Sequence, residues 1–218
     1  MKILTIGSNM QQDEVRQKFG AKHAYQLAAD HHAAQILFEK SNVVFDFTIE
    51  QHPAQILVYR NFPALPVFLD ISSSSLSKLG VTNLPGIFFG FCGLTTFLNR
   101  EILEVSVSSA DQSIELTEIC KGLQSRFEVV EDRVGLVTPR VICMIINEAY
   151  RTVEEGTATR EDIDLAMKLG TNYPYGPFEW CKKIGVKSVC QLLDAAFADT
   201  KDERYTVCKL LEKEKGNL

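Results

Sequence analysis

Three stretches of this chain carry residue types at spacings that could do chemistry. Ser72-Ser73-Ser74-Ser75 sets four hydroxyls and their backbone N–H groups in one short run. Such a run can hold a phosphate or a thioester oxygen, or form no more than a polar turn. Glu104 follows a segment holding Phe88, Phe89 and Phe91. Apolar surroundings raise a carboxyl toward neutral pH, where it can act as a base. A carboxylate that only accepts backbone hydrogen bonds at a strand end would look the same. The third stretch, Gly7-Ser8-Asn9-Met10-Gln11-Gln12, follows an apolar run, where a dinucleotide loop would read Gly-x-Gly-x-x-Gly. That loop needs one glycine for the turn, one for pyrophosphate approach and one for helix packing. Only Gly7 is present. Asn9 tolerates left-handed backbone, while Gln12 puts a long side chain where helix and strand should touch. The carboxylate that would grip a ribose about 20 residues further on has Asp30 as its candidate, with a solvated acid as the plain alternative.

Other reactive residues point away from metal chemistry. His23, His31, His32 and His52 are the histidines, and all precede the serine run. Neighbours such as His31 and His32 diverge by about 100° on a helix and face opposite sides of a strand, so both cannot serve one metal. The six cysteines (92, 120, 143, 181, 190 and 208) form no Cys-x-x-Cys pair. They read as small buried hydrophobes in a reducing compartment, and no metal is expected.

The elements that must position these residues alternate in the first two-thirds of the chain. Apolar or β-branched runs at 3–6, 43–48, 67–69, 86–91, 103–107 and 127–130 predict strands, and 13–18 and 114–123 predict helices between them. That alternation argues a mostly parallel α/β sheet. From Pro139 onward the pattern is helical: 141–153, a capped start at Thr159, a helix opened by Gly176-Pro177, and two more near 189–197 and 205–212. Trp180 reads as core. The chain has 218 residues, 45% apolar and 23% charged, with a net charge of −5. This excludes a disordered chain, and it argues against a scaffold held by nucleic-acid phosphates. No apolar run approaches the roughly 18 residues of a membrane span. The apolar start at 3–6 reads as a buried strand rather than a signal peptide, and the cytoplasm is the expected location.

Residues 132–185 carry a distinctive series: Asp132-Arg133-Val134-Gly135, Pro139-Arg140, Asn147-Glu148-Ala149, Glu161-Asp162-Ile163-Asp164, and Gly176-Pro177-Phe178-Glu179. It resembles the C-terminal helical domain of the 3-hydroxyacyl-CoA dehydrogenase family, where a Gly-Phe-x-x-Asn-Arg helix precedes Asn-Glu-Ala, Glu-Asp-Ile-Asp and Gly-Pro-Phe segments. Upstream, Asp46-Phe47-Thr48-Ile49-Glu50 resembles the family's Asp-Leu-Val-Ile-Glu strand. The run from Ser72 to Ser77 resembles its Ser-Asn-Thr-Ser-Ser-Leu turn. Gly86-Ile87-Phe88-Phe89 resembles Gly-x-His-Phe, and Leu103-Glu104-Val105 resembles Leu-Val-Glu-Val.

The resemblance implies a truncated Rossmann-like, mainly parallel sheet (1–132) followed by an all-helical domain (133–218), an α/β protein that dimerises through its C-terminal helices. It implies NAD as cofactor, held near Gly7, Asn9, Glu50 and Ser72, and an acyl-CoA substrate near Ser74, Phe88, Glu104 and Pro139. Ser74 falls on the serine that contacts the substrate hydroxyl, and Glu104 on the glutamate that orients the catalytic histidine. The histidine's own position falls on Phe88, and the asparagine that serves the thioester carbonyl falls on Pro139. The segment from Phe88 to Glu104 also runs about four residues longer than the family's. Phenylalanine cannot take a proton, and a positioned acid–base group is worth roughly 10²–10⁴ in rate. Two expectations follow. One is a catalytically impaired relative that binds acyl-CoA, or regulates or dimerises within fatty-acid metabolism. The other is an active NAD-dependent oxidoreductase interconverting 3-hydroxyacyl-CoA and 3-oxoacyl-CoA.

Overall fold

The computed structural model describes residues 1–217, Ala110 by its backbone alone. The chain divides into two compact units, Met1–Leu136 and Val137–Leu218.

In the first unit the order is β1 (Lys2–Ile6), α1 (Asn9–Phe19), β2 (Ala24–Ala28), α2 (His31–Phe38), β3 (Val43–Asp46), a 3-10 run (Pro53–Asn61), β4 (Pro66–Asp70), β5 (Ile87–Phe91), β6 (Ile102–Val107), α3 (Ser113–Leu123) and β7 (Arg126–Val129). The strands form one seven-stranded sheet ordered β2-β1-β3-β4-β5-β6-β7. All neighbouring pairs are parallel except β5 with β6. β3 is buried throughout and β1 and β4 almost throughout, as central parallel strands with both faces covered must be. Phe45, Phe68 and Phe89 stack across β3, β4 and β5, with ring centroids 4.7 Å and 4.9 Å apart. Val15, Phe19, Leu116 and Leu123 bring α1 and α3 onto that face.

β2 lies outside the sequence expectation. It is an edge strand of Ala24-Tyr25-Gln26-Leu27-Ala28, mostly half-exposed, with no clean alternation. It is the only strand beyond β1 on that flank among the described residues, whereas a two-half dinucleotide sheet has two there. The strand expected at 43–48 stops at Asp46, where the side chain turns back to accept the Thr48 backbone N–H at 2.9 Å. The reversal of strand order therefore falls between β1 and β3. In open α/β sheets the ligand crevice lies at this point, outside the carboxyl ends of the strands.

The second unit contains α4 (Thr138–Glu154), α5 (Arg160–Thr171), α6 (Pro177–Ile184), α7 (Val186–Thr200) and α8 (Lys209–Gly216). Its motif residues serve as local fasteners. Asn147 is buried; its amide donates to the Thr206 carbonyl and its oxygen accepts the Cys208 N–H, both at 2.9 Å. Thr159 caps α5. The Asp164 carboxylate accepts the N–H groups of Phe178 (2.8 Å) and Glu179 (3.2 Å), so α5 caps the start of α6. Trp180 is buried between the edges of Tyr173 and Tyr175, with centroids 5.5 Å and 5.9 Å away. No helix among the described residues is long and apolar enough to cross a membrane.

Candidate functional site

Three parallel strands end in polar groups on the same edge of the sheet. β3 ends in Asp46, whose carboxylate is fully buried and takes four hydrogen bonds. His31 Nε2 lies 2.7 Å from Oδ2, the Tyr59 hydroxyl donates to Oδ2 at 2.9 Å, and Thr48 donates its N–H and its hydroxyl to Oδ1, each at 2.9 Å. Burial, the charge of Asp46 and its hydrogen bond push the Tyr59 hydroxyl well above the usual tyrosine range, so it remains a donor.

β4 ends in Asp70. Its Oδ1 accepts the Ser72 N–H at 3.0 Å, the Ser72 hydroxyl at 2.5 Å and the Gly93 N–H at 2.9 Å. Beside it Glu50 accepts the Ser73 N–H at 2.6 Å and the Ser73 hydroxyl at 2.5 Å. Burial pushes Asp70 up to about 6. Burial, and then the charge of Asp70, push Glu50 up to about 7. Carboxyls raised this far take up protons close to neutral pH.

β5 ends at Phe91, and the next residue is Cys92. This thiol is buried, with the Ser72 hydroxyl 3.3 Å from Sγ. Phe88, assigned to the histidine position from the sequence, lies inside β5 instead, buried, with its ring edge-on to Tyr59 at 6.2 Å. β5 runs three residues past Phe88, and Cys92 is the first residue beyond it. Nothing in the sequence pointed to His31, which reaches Asp46 because α2 starts directly beyond the edge strand β2.

The serine turn is largely committed to the protein. Ser72 serves Asp70, Ser73 serves Glu50, and the Ser75 hydroxyl lies 2.9 Å from that of Ser77 and accepts the Lys78 N–H at 3.1 Å. The Asp132 carboxylate closes the turn by accepting the N–H groups of Leu76 (2.7 Å) and Ser77 (2.8 Å). Ser74 is half-buried, and its hydroxyl makes no hydrogen bond among the described residues. Glu104 lies mid-strand in β6, half-buried, on the opposite face from Leu103 and Val105 and across the ladder from Glu128. Pro139 is buried in the first turn of α4, in the helical unit. No cluster among the described residues could hold a metal, and all six cysteines are buried thiols outside any disulfide.

The cradle expected to bind a dinucleotide has been put to other uses. The Ser8 N–H, which a phosphate would take, donates to Gln11 Oε1 at 2.8 Å, and the Gln11 N–H donates to Ser8 Oγ at 3.3 Å. This closed capping box satisfies donors that a helix start otherwise offers an anion. Asn9 is the first residue of α1, not a left-handed turn residue. Gln12 is buried under the helix. β2 ends in Ala28, which offers no carboxylate for a ribose, and Asp30 caps α2 by accepting the Ala33 N–H on Oδ1 at 2.8 Å. Glu50 and Ser72, also expected here, are engaged at the serine turn. The residues present do not fit a dinucleotide.

Comparison with known proteins supplies the kinship. Residues 135–215 match the family model described as "3-hydroxyacyl-CoA dehydrogenase, C-terminal domain". The chain is 40% identical over 84 residues to the 3-hydroxyadipyl-CoA dehydrogenase of Escherichia coli K12, covering 38% of this chain and 18% of that protein. It is 31% identical over 155 residues to a 3-hydroxybutyryl-CoA dehydrogenase of Bradyrhizobium diazoefficiens, covering 69% of this chain and 53% of the relative. The chain thus spans about half the length of the Bradyrhizobium relative and less than a fifth of the Escherichia coli one. The crystal structure of (S)-3-hydroxybutyryl-CoA dehydrogenase PaaH1 from Ralstonia eutropha superimposes with a TM-score of 0.75 at 19% identity, covering 99% of this chain and 93% of that one, a likeness of fold. With the motifs from Asn147 to Glu179 acting as the fasteners of the matched helices, residues 135–215 carry the C-terminal domain of the 3-hydroxyacyl-CoA dehydrogenase family.

Proposed function

We propose that this chain is a 3-hydroxyacyl-CoA dehydrogenase-like protein that binds a short acyl-CoA at the serine turn, Ser74 contacting the ligand, and has lost hydride transfer. The observation that carries this is Cys92. Oxidising a 3-hydroxyl requires a base to take its proton, and the strand-end position beside Ser72 holds a buried thiol in hydrogen-bond distance of Ser72. His31, the histidine bonded to a strand-end carboxylate, is sealed against Asp46. Glu50 and Asp70 already hold serine donors on the same turn.

The names of the relatives supply the ligand class, a 3-hydroxyacyl thioester of CoA. A cytoplasmic homodimer fits the reading: Val137 and Val141 near the start of α4 and Leu165 and Leu169 on α5 are exposed apolar residues suited to a two-fold contact. A monomer mass by light scattering would remove that part.

The test is NADH consumption with acetoacetyl-CoA at high protein concentration, beside an active relative, together with calorimetry of acetoacetyl-CoA binding. The expected result is no turnover, with binding weakened about tenfold by Ser74→Ala, the loss of one hydrogen bond. Turnover abolished by Glu104→Gln would overturn the proposal and make Glu104 the base.

A further inference from the structure

We propose that the crevice at the β1–β3 switch point is filled by the chain's own residues, so that the protein holds no dinucleotide. This rests on packing beyond the closed capping box and is independent of whether Cys92 replaces a base.

A dinucleotide lies in such a crevice only if backbone and ligand can approach closely at the turn after β1. Here Gln11 stands in that space. A Cβ placed on Gly7 would lie 2.3 Å from Gln11 Oε1 and 3.3 Å from Phe47 Cβ. Phe47 is the first residue beyond β3. Its N–H donates to the Ile6 carbonyl at 2.9 Å, which seats it between the ends of β1 and β3. Its ring is buried, edge-on to Phe91 with centroids 5.1 Å apart. On its other side, a Cβ placed on Gly93 would lie 2.7 Å from Phe47 Cδ1 and 2.3 Å from Asp70 Oδ2. The Phe47 side chain therefore lies between the turn after β1, which its Cβ approaches, and the turn after β5, which its ring approaches.

The chain beyond Gly93 holds this arrangement down. The Thr96 N–H donates to Glu14 Oε1 at 3.4 Å, and the Asn99 amide donates to Gln17 Oε1 at 3.0 Å. Lys18 Nζ donates to the carbonyls of Arg100 and Glu101. Three residues of α1 thus grip residues 96–101, while Phe97 and Leu98 are buried, Leu98 in the core with Val15 and Phe19. A dinucleotide entering here would have to lift a buried segment, turn out a core phenylalanine and break a helix cap.

The experiment is calorimetry of the full chain with NADH, NAD⁺ and ADP-ribose to a few millimolar, with and without acetoacetyl-CoA, beside an active relative. Amide hydrogen exchange at Phe47 and Thr96 is followed in the same samples. No saturable heat is expected, exchange at both amides should be slow and unchanged by NADH, and NAD⁺ should leave acyl-CoA affinity within about twofold. Saturable dinucleotide binding in the ordinary range of about 1 μM–1 mM would overturn the proposal. So would a fivefold or larger gain in acyl-CoA affinity with NAD⁺, or exchange at either amide that slows on adding NADH. Binding of dinucleotide without turnover would overturn this inference and leave the proposed function standing. Failure to bind acyl-CoA would do the reverse.

Discussion

His31 Nε2 lies 2.7 Å from Asp46 Oδ2, and both side chains are almost wholly out of water, at 3% and 0% exposure. A buried carboxylate is tolerated only when partners offset its lost hydration, and here the first residue of α2 supplies one of them across the end of β3. His31→Ala should destabilise the fold by about 3–5 kcal/mol, the usual cost of breaking a buried pair from one side. The double variant His31→Ala/Asp46→Ala should cost clearly less than the two single losses added together, because no unpaired carboxylate remains. Urea midpoints of the four proteins decide this; strictly additive losses would mean that the pair is not coupled.

The raised carboxyls at the serine turn give stability an inverted pH dependence. Glu50, ordinarily near 4.5, is pushed up to about 7, and Asp70 up to about 6. Between these ordinary and raised values the folded chain binds more protons than the unfolded one, so this contribution falls as pH rises through about 4.5 to 7. Glu50→Gln keeps the shape and an oxygen for the Ser73 N–H but cannot ionise. It should gain on the parent on the order of 2 kcal/mol between pH 5 and pH 8. Denaturation at the two pH values measures it, and an equal difference at both would refute the shift.

Thr96 adopts φ +82 with a branched side chain, an uncommon and costly backbone state for such a residue. Its hydroxyl is also buried without a hydrogen-bond partner among the described residues. Thr96→Gly removes both penalties. It should stabilise the protein by about 1 kcal/mol and raise Tm by about 2–4 °C. Thr96→Ala, which keeps the positive φ, should recover less.

Gly176 and Asp164 lie too close for any side chain between them. A Cβ on Gly176 would stand 2.3 Å from the Asp164 carboxylate and 2.5 Å from its Cα. Backbone on one side leaves no flexible atom to yield, so Gly176→Ala should cost about 1–3 kcal/mol through overpacking. Asp164→Ala should cost about 1–2 kcal/mol through the lost cap on α6. Differential scanning calorimetry reads both, and a neutral Gly176→Ala would contradict the geometry.

The parallel sheet is legible in the sequence because β1, β3, β4 and β5 are near-continuous apolar runs that only a doubly covered strand needs. β2 is not, since an edge strand needs no apolar run and Ala24 to Ala28 has none. Glu50, Ser72 and Ser74 stand out by motif, and the structure puts Glu50 and Ser72 on one turn through Ser73 and Asp70. Cys92 and His31 do not stand out. Which residue ends a strand depends on where pairing stops, and which helix residue meets a strand end depends on the crossing of α2 over the sheet. Neither is a matter of spacing along the chain.

Trp180, the chain's single tryptophan, is buried in the helical unit beside Tyr173 and Tyr175. Its emission therefore reports the surroundings of α6. Far-UV ellipticity sums over both units. Followed together through one denaturant titration, the two optical signals will show whether the halves let go at once, and if not, which lets go first.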